Sequence, residues 1–301
     1  GDGSTVLLTT PTFMTPEILT SQEYGVQGTP RVNPGQTLNA TVRADAASAC
    51  IRLAVQVYDE ADQLRTVTGP EVQPPAGTWT ELSWTLPDMG GYPIATVGLQ
   101  VEGTDGLDVD RMDWRGAPRV VLDRPSAATT AWRRAWVDGM DLFGEGWGPG
   151  WPEPYRLIQN QGSGLISYGP RDWTDVQVTA SMTPHIALSM GVTVRVQGLR
   201  RHYAVLLTSQ GRVRLVKTVD GRVTVLAEAP VPWNLYTEYR VRVRAHGDRI
   251  TGWVDGEKVV DVVDTDGPLT CGGIGMMCEE GRVGVGPVAI RPSQDTDRDE
   301  G

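Results

Sequence analysis

The chain is poor in several things at once, and each shortage removes a class of protein. Its 301 residues include only 2 Phe, and no apolar run approaches the roughly 18 residues a helix needs to cross a bilayer, so no membrane-spanning helix is expected. The opening Gly1-Asp2-Gly3-Ser4 lacks the basic start and apolar segment of an export signal. It also lacks Met, as expected of a trimmed fragment with an export signal or a catalytic domain missing upstream. Three cysteines, Cys50, Cys271 and Cys278, make an odd count without CxxC spacing. Neither a disulfide framework nor a zinc site is indicated, and reduced thiols in a cytoplasm are the expectation. His185, His202 and His246 are too widely separated to suggest a zinc motif or a Ser-His-Asp arrangement. Helical periodicity is scarce as well: its best stretch runs only from Ala131 to Leu142.

What is abundant is turn and strand chemistry. There are 10 Trp, 36 Gly and 21 Pro, a composition that favours strands and tight turns over helices. Net charge is -10 but uneven: residues 1–121 carry 7 basic and 15 acidic side chains, the remainder 20 and 22. A second half so nearly balanced argues against duplex nucleic acid as a partner. Arg outnumbers Lys 25 to 2, which reads as genomic base composition rather than as chemistry.

Apolar residues alternate with period two, as half-buried strands require. In the first half Leu38/Ala40/Val42, Ile51/Leu53/Val55/Val57, Leu82/Trp84/Leu86 and Val97/Leu99/Val101 form such series, separated by Gly- and Pro-bearing turns. In the second half the series are Val176/Val178/Ala180/Met182, Val192/Val194/Val196, Tyr203/Val205/Leu207 and Tyr239/Val241/Val243, followed by Ile274/Met276 and Val283/Val285. Asp220-Gly221 and Asp255-Gly256 each join two short strands with the chemistry of a type I′ hairpin. The spacing predicts an all-β protein of two antiparallel β-sandwich, jelly-roll domains in tandem. Alternation lapses between Gly116 and Thr130, which sets the first domain at 1–121, a linker at 122–131, the second domain at 132–292 and a disordered acidic tail at 293–301.

Four segments of the second half carry a resemblance: Arg171-Asp172-Trp173-Thr174-Asp175, Gly198-Leu199-Arg200-Arg201-His202-Tyr203, Gly252-Trp253-Val254-Asp255-Gly256 and Gly272-Gly273-Ile274-Gly275. Residues 132–291 resemble a concanavalin A-like, laminin G-like jelly roll of the group that includes keto-disaccharide hydrolase-type domains. The first half resembles galactose-binding-like carbohydrate modules through Leu107-Asp108-Val109-Asp110-Arg111-Met112-Asp113-Trp114 and Val32-Asn33-Pro34-Gly35. The pairing, with Trp132-Arg133-Arg134-Ala135-Trp136 between, is similar to the C-terminal region of some actinobacterial ADP-ribosylglycohydrolase-family proteins. That resemblance implies an enzyme upstream, whose helical fold and Asp-rich dimetal site have no counterpart here.

Several constellations invite chemistry. Asp105, Asp108, Asp110 and Asp113 would suit a hard cation such as Ca²⁺; a solvated sheet face, with a bulge near Arg111 where the apolar phase slips, is the alternative. No other cofactor is indicated. Arg195, the pair Arg212/Arg214 and the triplet Arg240/Arg242/Arg244 alternate with Val, Leu or Ala. If their strands are neighbours, one face carries a basic stripe suited to phosphate, sulfate or carboxylate. Otherwise they are exposed ion pairs without function. Arg200-Arg201-His202-Tyr203 would orient a sugar or anion at a strand entrance, unless His202 is merely an exposed loop residue. Trp147, Trp151 and Trp233, flanked by Gly or Pro, are candidates for stacking on a sugar ring or for packing as a lid. Glu279-Glu280 is the candidate acid pair for glycoside hydrolysis, although neighbours on an extended strand point to opposite faces.

The leading expectation is a non-catalytic pair of modules that binds a carbohydrate or anionic sugar, or scaffolds a missing hydrolase domain. A glycoside hydrolase working on the concave face of the second sandwich, and a purely structural interaction module, are the alternatives. Neither nucleic acid nor membrane is expected as a partner.

Overall fold

The computed structural model describes residues 5–15, 28–124, 129–146 and 153–294. Contacts divide it into two units, one built from the residues up to Pro118 with 129–135, the other from Arg119–Arg124 with the residues from Trp136 onward. The segment read as a linker at 122–131 is therefore shared. Val120–Leu122 ladders with Val288–Ile290 of the second unit, while Thr129, Thr130 and Ala131 hydrogen-bond the Asp62 carboxylate of the first.

The first unit contains β1 (Val6–Pro11), β2 (Thr37–Ala44), β3 (Cys50–Tyr58), β4 (Leu64–Thr68), β5 (Thr80–Thr85), β6 (Ile94–Glu102) and β7 (Leu107–Arg115). They form an antiparallel four-stranded sheet, β1-β6-β3-β4, and a three-stranded one, β5-β2-β7. Leu38, Ala40, Val42 and Ala44 of β2 alternate inward and join Ile51, Leu53, Val55, Val57, Val97 and Leu99 in one core, as a sandwich requires. The bulge anticipated near Arg111 is present: Thr41 pairs with Arg111 but Val42 with Val109, leaving Asp110 unmatched. Ala131–Ala135 is a single 3₁₀ turn rather than the start of a longer helix, because Val137–Gly139 already pairs as a strand of the second unit.

The second unit comprises β8 (Val120–Leu122), β9 (Val137–Gly139), β10 (Leu142–Glu145), β11 (Tyr155–Tyr168), β12 (Val176–Ile186), β13 (Ser189–Gly198), β14 (Arg201–Thr208), β15 (Arg212–Val219), β16 (Arg222–Pro230), β17 (Tyr239–His246), β18 (Arg249–Val254), β19 (Glu257–Val263) and β20 (Gly273–Pro292). The two series expected around Ile274 and Val283 are a single 20-residue strand. Its first half pairs with β13 and its second half with β12, and β11 follows it past an irregularity between Gln159 and Ser163. One layer thus runs β16-β15-β14-β13-β20-β11-β9 and the other β19-β18-β17-β12-β20-β11-β10.

The layers meet face to face at Gly252, where an added Cβ would stand 2.8 Å from a Val205 methyl and 2.7 Å from one of Val260. Both hairpins foreseen from Asp-Gly have φ above zero at both central residues, 53° and 86° at Asp220-Gly221 and 50° and 85° at Asp255-Gly256. Ser293, expected to begin the tail, is instead buried: its N–H donates to the Asp175 carbonyl and its hydroxyl meets His246 Nδ1 at 2.9 Å.

Candidate functional site

Strand β17 alternates strictly. Tyr239, Val241, Val243 and Ala245 are buried between the layers, so Arg240, Arg242 and Arg244 project from the outer face. On that face their direct neighbours across the ladder are the uncharged Ser181, Thr179 and Gln177 of β12. Gln177 in turn lies opposite Arg291 of β20. Among the described residues Arg244 and Arg291 form no ion pair. On the other side Arg242 lies directly opposite Trp253 of β18, whose ring also carries the Arg244 guanidinium. Four guanidinium groups thus surround a column in which Gln177 and Thr179 are buried and Ser181 is partly exposed. Neighbouring strands are roughly 5 Å apart, so an anion here reaches donors from two strands at once.

Farther along β12 the column ends on Thr183 and His185. Glu153 lies over Gly284, the residue paired with Thr183, where an added Cβ would come within 2.8 Å of the glutamate's Cγ. Glu153 is 8% exposed, its Oε1 is 3.7 Å from His185 Nε2, and its Oε2 is buried without a hydrogen-bond partner among the described residues. The His185 ring is 5.6 Å from that of Tyr236, a highly exposed tyrosine. Sequence reading passed over Glu153, because nothing in the local pattern marks a carboxylate that packs over a glycine about 130 residues away.

The other sites proposed from sequence fare differently. Strands β15 and β17 belong to different layers, so the arginines do not form one stripe. Arg212 and Arg214 both bind Glu228 across the β15–β16 ladder, the ordinary ion pairing of an exposed face. Arg195 is not a surface residue: it is 1% exposed, sits at a bulge with φ 54°, and donates to Asp175 Oδ1 and the Gly247 carbonyl at 3.1 Å each. Its pKa is pulled down by burial, against the opposing pull of Asp175.

Arg200 and Arg201 are spent on the Asp220-Gly221 hairpin, Arg200 through the Asp220 carbonyl and Arg201 through its carboxylate. His202 is neither exposed nor in a loop. It is 2% exposed on β14, and burial holds its pKa below the usual imidazole range. Tyr203 is also buried, its hydroxyl donating to Asp264 and accepting from the Leu269 N–H. Trp233 stacks on Tyr239 with ring centroids 6.4 Å apart; Trp147 and Trp151 lie outside the described residues.

Glu279 accepts from the Ser189 hydroxyl at 2.7 Å, and Glu280, at φ 39°, accepts from the Gly162 N–H at 3.2 Å. The aspartates of the first unit do not converge on a cation. Arg43 binds Asp108, and Asp113 is held by Asn39, Arg111 and Arg115, which keep its pKa low against the effect of burial. Among the described residues no group of three or more His, Cys, Asp or Glu is placed to share a metal ion. The three cysteines are free thiols, and burial pushes that of Cys278 up to about 12.

No protein-family model and no curated protein matches the chain. Among solved structures it is similar to the carbohydrate binding module CBM66 from Bacillus subtilis, at 17% identity over 52% of this chain and 94% of that one, with a TM-score of 0.46. A Bacillus subtilis protein of unknown function with a galectin-like fold gives 12% identity, 55% and 92% coverage and a TM-score of 0.42. The GH43 protein BlXynB from Bacillus licheniformis gives 11%, 67% and 47%, also with a TM-score of 0.42. Likenesses at this level transfer no ligand and no chemistry, which have to come from the residues themselves.

Proposed function

We propose that the second unit is a carbohydrate-binding module that holds an acidic saccharide on the outer face of β20, β12, β17 and β18. One observation carries the reading: Arg242 and Arg244 share the Trp253 ring at 4.1 and 5.1 Å, and Arg291 lies opposite Gln177, itself the neighbour of Arg244, so three guanidinium groups gather on one face of the sheet. Guanidinium groups recognise carboxylate and sulfate bidentately, and Ser181, the one of the three β12 neighbours that is not buried, offers a hydroxyl to the neutral part of a sugar. An accessory role beside a hydrolase domain belongs to the same proposal. Its support is the sequence resemblance to ADP-ribosylglycohydrolase-family C-terminal regions.

The test is titration with an oligogalacturonate and with a neutral oligosaccharide of the same length, at low and high ionic strength. The acidic ligand should bind, bind less tightly in salt, and lose most of its affinity in Arg242→Ala and Arg244→Ala. Binding that ignores both salt and these substitutions, or no binding, overturns the proposal.

Glu153 favours a second reading, hydrolysis on the same face, because a buried carboxyl beside an imidazole supplies one of the two acids that glycoside cleavage uses. Turnover of a saccharide abolished by Glu153→Gln would establish it.

A further inference from the structure

A cavity of about 600 Å³, well within the range of small-molecule sites, opens at the edge of the second unit, away from the arginine face. It lies between the β15–β16 hairpin and the chain that follows β19. Its floor is rigidly held. The Lys217 ammonium stands 2.7 Å from Asp264 Oδ2 and donates to the carbonyls of Asp266 and Gly267, while Tyr203 donates to the same carboxylate. Lys217 and Asp264 are both almost fully buried. All three ammonium protons are used, so Lys217 anchors the 264–267 segment and has nothing left for a ligand.

The walls are chemically different. Arg222, Thr224 and Leu226 of β16 form one, and Asp266 stands on the other. Although Arg222 and Asp266 line the same cavity, they make no ion pair with each other among the described residues. Asp220, at one end, is already bound by Arg201.

We propose that this cavity binds one uncharged sugar residue or a similar polyol, bridging Arg222 and Asp266. A hydroxyl donates to the carboxylate and accepts from the guanidinium, so a vicinal diol satisfies both walls at once. Leu226 offers an apolar surface to the C–H face of the ring. With Asp264 paired to Lys217 and Asp220 to Arg201, the charges that remain are one guanidinium, Arg222, and one carboxylate, Asp266, so an ion of either sign meets its like while an uncharged ligand satisfies both.

The test follows backbone amide resonances of Thr224, Asp266 and Gly267 in the full chain during titration with glucose, galactose, fructose and sorbitol, each to about 100 mM. Saturable shifts are expected with at least one of them. Affinity should be indifferent to salt, unchanged in Arg242→Ala, and about tenfold or more weaker in both Asp266→Asn and Arg222→Met. These two substitutions lie on exposed positions and leave the Lys217 anchor intact. The absence of saturable shifts with all four probes overturns the proposal, as does full affinity in either variant or loss of affinity in Arg242→Ala. Because the acidic-saccharide reading is tested on other residues and by salt, each can fail alone.

Discussion

The guanidinium carbon of Arg242 lies 4.1 Å from the centroid of the Trp253 ring, its direct neighbour across the ladder, and Arg244 shares that ring at 5.1 Å. An indole in this position holds two flexible cationic side chains over the face of the sheet, which lowers the cost of ordering them around an anion.

Trp253→Ala should therefore weaken acidic-saccharide binding by a few-fold to about tenfold, from a cation–π contribution of about 0.5–2 kcal/mol. Trp253→Phe should retain part of it. Unchanged affinity in Trp253→Ala, measured by calorimetric titration of a protein with unaltered melting, would show that the ring does not organise the arginines.

The first unit has a pH dependence traceable to one carboxylate. Burial by itself would raise the pKa of Asp62, but hydrogen bonds from Thr129, Thr130 and Ala131 outweigh it and bring the value to about 2. The ionised form is favoured in the folded state, so its stabilisation is complete above the unfolded value near 3.8 and is lost as pH falls from there through about 2. Asp62→Asn should destabilise this unit at pH 7 by about 1–2 kcal/mol, allowing for solvent screening, with the gap to wild type closing below pH 4. A constant gap from pH 7 to pH 2.5 in thermal melts would remove the charge as the cause.

Gly252→Ala should destabilise the second unit by about 1–3 kcal/mol, since the new methyl meets the side chains of Val205 and Val260 where the two layers touch. Combining it with Val205→Ala should restore part of the loss. Equal melting of Gly252→Ala and wild type would mean that the layers separate without cost at this point.

Strand positions and both Asp-Gly hairpins were legible in the sequence because they follow from local physics. Leu38, Ala40 and Val42 alternate whatever lies beyond them, and Gly221 and Gly256 accept positive φ without a side-chain penalty. Burial was legible only where it followed from alternation. His202 and Arg195 carry polar labels in the sequence, yet the layered fold encloses both. Glu153 and the Lys217–Asp264 pair escaped notice because their partners lie tens of residues away.

The arginines show most plainly where local information stops. Arg212/Arg214 and Arg240/Arg242/Arg244 have the same spacing and the same kind of apolar neighbours, so alternation alone determined that each set lines one face of a strand. Which residues stand across the ladder is set by strand order, and that was decided only when the chain folded. One set met Glu228 and became an ion-paired surface, while the other met Ser181, Thr179 and Gln177 on one side and the Trp253 ring on the other.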